Sequence, residues 1–183
     1  MTTQRTSTWL PALAVLGSIT SLSIGTSFAK RLFPLVGAEG TSALRVGFSA
    51  IVLLLFWRPW RWPLSRPDAI SVIRYGFALG VMNLLFYMAL RTIPFGIAVA
   101  IEFSGPLAVA MLSSRRPVDF LWLACAVTGL LMLLPLAHDS PLDRVGVLFA
   151  LGAAVCWALY ILSGKKAGHL HAGQSVSLGL VVA

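Results

Sequence analysis

Two ionisable residues, Glu102 and Arg45, stand inside long apolar stretches of this chain. A charge held at mid-membrane depth costs at least about 2.5 to 3.5 kcal/mol on insertion scales, so each is a candidate for function. On a helical wheel Glu102 shares a face with Ala98, Gly105 and Val109, and the small neighbours leave room beside its carboxylate. Pro106 lacks an N–H and leaves the Glu102 carbonyl without its helical partner. A carboxylate and a freed carbonyl at one level can attract a proton or an ammonium group. The alternative is that Glu102 stays uncharged, or pairs with a neighbouring helix, and merely holds a bundle together. Arg45 shares a face with Ser42 and Ser49, about one turn inside its run. Its fork of donors suits a carboxylate, yet its long stem also lets it snorkel to the membrane surface. Lys30 carries the same ambiguity and leans to the interface.

Further polar residues lie on shared helical stripes. Gly76, Gly80, Asn83 and Tyr87 recur at spacings of three and four. Asn83 and Glu102 are nearly symmetric about a tight turn at Thr92-Ile93, so an antiparallel hairpin is expected to make them neighbours. Asn83 can serve a ligand or hydrogen-bond between helices, whereas Tyr87 suits packing or an interfacial place. Gly152, Cys156, Tyr160 and Ser163 form a mildly polar face with Trp157 beside it, which can line a cavity or pack. Helix packing is expected of the small residues Gly96, Ala100, Ser104 and Ala108, and of Gly17, Ser21 and Gly25.

Other chemistry finds little support. His138, His169 and His171 fall in predicted loops without acidic or cysteine ligands at metal spacing. Cys125 and Cys156 lie inside apolar runs and read as small hydrophobes rather than a disulfide or zinc ligands. No nucleophile elbow or phosphate loop occurs, so neither an enzyme nor a cofactor is expected.

The elements that must carry these residues are membrane spans. Of 183 residues 58% are hydrophobic and 11% charged, against roughly a quarter charged in soluble domains. The net charge of +8 sits in short clusters between apolar runs, which fits topology signals in a lipid bilayer and not a nucleic-acid surface. Crossing a bilayer takes about 20 apolar residues in a helix, and the alternation of a barrel is absent. Six spans are expected, near 9–29, 41–57, 71–90, 95–113, 119–137 and 144–163, with turns marked by Pro63, Pro67, Pro94, Pro117 and Pro141. Ser27-Phe28-Ala29 resembles a cleavage site, but the run before it is long for a signal peptide and reads as a retained helix. Val176 to Ala183 begins another run too short to cross, so a truncated chain is expected.

Counting basic residues sets the orientation. One side holds Arg5, Arg58, Arg61, Arg66, Arg74, Arg115, Arg116, Lys165 and Lys166, and the other Lys30, Arg31, Arg91 and Arg144. The excess predicts a cytoplasmic amino terminus, with Trp57, Trp60 and Trp62 as an interfacial belt.

Several segments carry a resemblance: Ser27 to Lys30, Leu32 to Gly37, Ala43-Leu44-Arg45, the long stretch Pro94 to Phe120 and Cys156 to Gly164. Together they resemble the threonine/homoserine exporters of the drug/metabolite transporter superfamily, whose repeat unit is called the EamA domain. The resemblance implies an all-α polytopic bundle of ten helices in two inverted five-helix repeats, working by alternating access in the inner membrane. Residues 1–140 would be the first repeat, and residues 141–183 the sixth helix and the start of a seventh. It also implies small neutral amino acids as partners, threonine and homoserine among them, with proton antiport as the energy source. On that reading Glu102 takes the ammonium group or the proton, Arg45 the carboxylate and Asn83 a side-chain hydroxyl, with Tyr87, Trp157 and Tyr160 nearby. Two alternatives stay open: export of other metabolites or drugs, and a nontransporting scaffold or assembly partner. A homo-oligomer is compatible with each.

Overall fold

The computed structural model describes residues 9–114, 117–133, 142–166, 170 and 172–183. The Lys30 side chain and residues Arg5, Arg115, Arg116, His138, Pro141, His169 and His171 lie outside the described residues. The described residues form helices and turns without strands. The helices are α1 (Trp9–Lys30), α2 (Phe33–Trp57), α3 (Arg66–Ala89), α4 (Phe95–Ser113), α5 (Pro117–Leu133), α6 (Arg144–Lys166) and α7 (Ala172–Val182), with a 3-10 turn at Pro59–Arg61.

Each expected span coincides with a helix over its described residues, positions 134–137 of the fifth lying outside them, and the differences in bounds have local causes. α2 begins at Phe33 because Pro34 in its first turn favours helix initiation. Gly37 then breaks the helix with φ 73°, a conformation that glycine adopts without a Cβ clash. α3 begins at Arg66 rather than near 71, since Ser65 caps it by accepting the Asp68 amide at 3.3 Å. That polar first turn is invisible to an apolar window. α7 begins at Ala172, so its buried Gln174 precedes the apolar run that starts at Val176, and the buried Ser177 lies within that run.

Four helices among the described residues, α2, α3, α4 and α6, are each long and apolar enough to cross a membrane, while α1, α5 and α7 contain shorter apolar stretches. Large apolar side chains face outward along them, Leu112 and Met132 at 80% and 82% exposure. Surfaces of this kind belong in lipid.

Helix α6 is central: it packs along both α3 and α4, which touch each other little beyond their connecting turn. α7 lies against α2 and α3, α5 against α4, and α1 against α2. Small residues permit the close approaches. A Cβ on Gly76 of α3 would collide with the Gly179 carbonyl of α7, and one on Gly105 with the Ala154 carbonyl of α6. The core gathers Ala38, Phe86, Tyr87, Leu90, Ile97, Ala98, Ala150 and Ala153.

Helix ends segregate into two levels. At one, Arg91 pairs with Glu39 at 3.0 Å. At that level too, Asp143 accepts the Gly146 amide at 2.8 Å and is hydrogen-bonded by Thr92. At the other, the Trp62 carbonyl accepts from Gln174 at 3.2 Å, and Gly173 lies against the Trp57 ring. Successive helices therefore run up and down.

The packing faces differ in part from expectation. On α4 the face bearing Ala98, Glu102, Gly105 and Val109 is buried, whereas Ser104 and Ala108 are exposed and a Cβ on Gly96 would meet nothing within 4 Å. The same openness holds at Gly17 and Gly25 of α1. Small-residue spacing alone did not discriminate these faces, because it records room for a partner rather than its presence.

Candidate functional site

Arg45 turns inward. From α2 its Nη1 donates to the Thr26 hydroxyl of α1 at 2.8 Å and to the Tyr87 hydroxyl of α3 at 2.9 Å. Three helices thus meet at one guanidinium, and the snorkelling alternative is not the arrangement adopted. Tyr87 is fully buried, with its ring centroid 5.9 Å from that of Phe33 and the Arg45 guanidinium 5.9 Å from the Tyr87 centroid. Thr26, 3% exposed, gives its own proton to the Leu22 carbonyl at 2.9 Å. Its oxygen is thereby left to accept from Arg45. Of the serines expected beside Arg45, Ser42 is buried and Ser49 exposed.

Thr26 escaped the sequence reading because a threonine in an apolar helix usually bonds its own backbone, as this one also does. A usable signal lay in the Gly37 break, which starts the continuous part of α2 at Ala38. Arg45 is then roughly 10 Å along it and Thr26 roughly 6 Å before the end of α1, within reach of a long side chain.

Glu102, at 7% exposure, occupies the face of α4 that lies on α6. α4 continues through Pro106 as one helix. The charged group whose field reaches Glu102 is Arg45. Glu102 and Arg45 thus interact through a medium of low dielectric, where a given pair of charges acts more strongly than in water.

Asn83 behaves otherwise than the hairpin predicts. Its amide donates to the Leu79 carbonyl of its own helix at 2.9 Å, and α6 covers the α3 surface that α4 was expected to cover. A short loop does not keep two antiparallel helices in contact along their length when a third packs against both. Trp157 of α6 meets Phe103, the residue after Glu102, edge to face at 5.0 Å. Tyr160 bonds Tyr75 across α3 and α6 at 2.9 Å, with ring centroids 4.6 Å apart. Tyr75 is about 18 Å along α3 from Tyr87, so Tyr160 stands apart from the Arg45 cluster. Among the described residues no group of His, Cys, Asp and Glu could hold a metal ion, and Cys125 and Cys156 are free.

Between α1 and α2 runs a groove of about 800 Å³ lined by Ser18, Ser21, Gly25, Arg31, Thr41 and Arg45, with apolar side chains completing its walls. The site therefore offers a cation at a groove and a carboxylate one helix pair away.

Apolar helices enclosing charged residues define an all-α polytopic membrane protein. The chain is similar to the threonine/homoserine exporter RhtA of Salmonella typhimurium, 49% identical over 182 residues, which cover 99% of this chain and 62% of that protein. To the Escherichia coli exporter of the same name it is 50% identical over 176 residues, 96% of this chain and 60% of that protein. The chain thus spans about three fifths of the length of the curated relatives it matches. No family model matches the chain, and neither does any solved structure. Identity at this level over nearly every residue bears out the resemblance carried by the quoted segments.

Proposed function

We propose that this chain is part of an inner-membrane exporter of small neutral amino acids, with threonine and homoserine as substrates. The observation that carries the reading is the 49 to 50% identity to exporters of that name over nearly the whole chain. Arg45 and Glu102 fit it chemically, since a zwitterion needs one cationic and one anionic partner. Arg45 takes the carboxylate, and Glu102 takes the ammonium group or the coupling proton in an antiport cycle. Trp157 borders the Glu102 side, and Asn83 serves a substrate hydroxyl only by giving up its bond to the Leu79 carbonyl.

In this reading residues 1–140 form a first repeat and residues 141–183 begin an inverted second one, with substrate between the halves near the bilayer midplane. The excess of Lys and Arg at one level supports a cytoplasmic amino terminus. The work is transport, without catalysis.

The test measures export of labelled threonine and homoserine from cells lacking their own exporters. This chain is compared with the same chain extended through the part its relatives carry beyond it. Export by the extended form, lost in Glu102→Gln while the protein still reaches the membrane, is the expected result. Undiminished export by the Gln variant removes Glu102 from the mechanism, and no export by the membrane-inserted wild type sinks the substrate assignment.

A further inference from the structure

The two hydroxyls at Arg45 converge on a single nitrogen. Nη1 serves both Thr26 and Tyr87, while Nε and Nη2 make no hydrogen bond to any described residue. Carboxylates are bound best by two parallel N–H groups on one edge of a guanidinium, and the edge left unused here has that form.

Charge points the same way. Among the described residues no carboxylate forms an ion pair with Arg45. Thr26 and Tyr87 meet the guanidinium through hydroxyl oxygens, so they orient it without forming an ion pair. A guanidinium between spans without a carboxylate in direct contact is costly, and an anion delivered by a ligand offsets that cost. The groove at Arg45 holds a second guanidinium, Arg31, and no acidic residue lines it. Thr26 is itself oriented by its bond to the Leu22 carbonyl, and Tyr87 is packed against Phe33 and Phe86. Both supports are rigid, as a preorganised site requires.

From this geometry we infer that Thr26 and Tyr87 are positioning residues that aim the free edge of Arg45 at the α1–α2 groove and select ligands bearing a free carboxylate. The inference rests on the proposed export of amino acids and names what fixes the carboxylate end of that specificity. Neither residue touches the ligand. Thr26 acts through Nη1 alone, and Tyr87 through Nη1 and the face of its ring.

The experiment measures ligand-induced thermal stabilisation of the purified full-length protein. Its ligands are threonine and threoninol, the amino alcohol that lacks the carboxylate, and its proteins are wild type, Thr26→Val, Thr26→Ser and Tyr87→Phe. Losing one supporting hydrogen bond should raise the apparent Kd for threonine about three- to tenfold in Thr26→Val and Tyr87→Phe. Thr26→Ser, which keeps the hydroxyl, should restore it. Threoninol should bind weakly and alike to all four. Melting temperatures without ligand report folding, and a variant that fails to fold leaves the other to decide. Threonine binding to both folded variants as tightly as to wild type overturns the inference, as does a parallel loss for threoninol. Absence of any threonine-dependent shift in wild type overturns it too. Transport separates the two readings: export that persists with unaltered KM in Thr26→Val removes the positioning role and leaves the exporter assignment standing.

Discussion

Gly105 of α4 faces the carbonyl oxygen of Ala154 on α6 so closely that no Cβ fits between them. Glu102, one turn earlier on the same face, owes its depth to this approach. Gly105→Ala can be accommodated only by moving backbone, so it should destabilise the bundle by about 1 to 3 kcal/mol. Gly17→Ala and Gly25→Ala, where a Cβ would meet nothing within 4 Å, should stay within about 0.5 kcal/mol of wild type. Melting temperatures in detergent check this; equal effects at all three positions would refute the helix contact.

Tyr75 and Tyr160 supply a second test. Tyr160→Phe keeps the ring contact but leaves the buried Tyr75 hydroxyl without its partner, at a cost of about 1 to 3 kcal/mol. Removing both hydroxyls should recover much of that loss. A double-mutant cycle reads the coupling, and strictly additive losses would show that the hydroxyls do not bond.

Asp143 gives a dependence on pH. A hydrogen bond from Thr92, and then the Gly146 amide, hold its carboxyl below its ordinary value of 3.8. A carboxyl whose folded value is depressed stabilises the protein above the unfolded value and ceases to do so as pH falls through the folded one. Wild type should therefore exceed Asp143→Asn in melting temperature by a constant margin at neutral pH, and the margin should shrink below about pH 3.8. A margin that does not change on acidification would remove the carboxylate from the α6 cap.

Much of this arrangement was legible in the sequence. The apolar runs located each α-helix among the described residues, because lipid forces the backbone to satisfy itself within each span. The buried face of Glu102 followed from 3.6-residue periodicity. Which helices touch was not legible. That depends on which of several small-residue stripes finds a complementary partner, and Gly96 and Gly17 carry the same local pattern as Gly105. Asn83 illustrates this, since its helix packs along α6 rather than along α4. Thr26 and Tyr75 were missed because each acts through a residue far away in the chain, at separations of 19 and 85.

The break at Gly37 reaches beyond the turn it makes. Unbroken, α2 would be a rod of 25 residues, about 37 Å long, against a hydrocarbon layer of about 30 Å. Turning the chain at Gly37 leaves Ala38 to Trp57 as the crossing part, about 30 Å, and allows Phe33 to Val36 to lie along the boundary. A crossing part of that length matches the thickness of the layer, and its tilt is left to helix packing and interfacial anchors. Any residue with a Cβ at position 37 would favour a straight rod, driving α2 to tilt or to thicken the surrounding lipid and carrying Arg45 off its two hydroxyls.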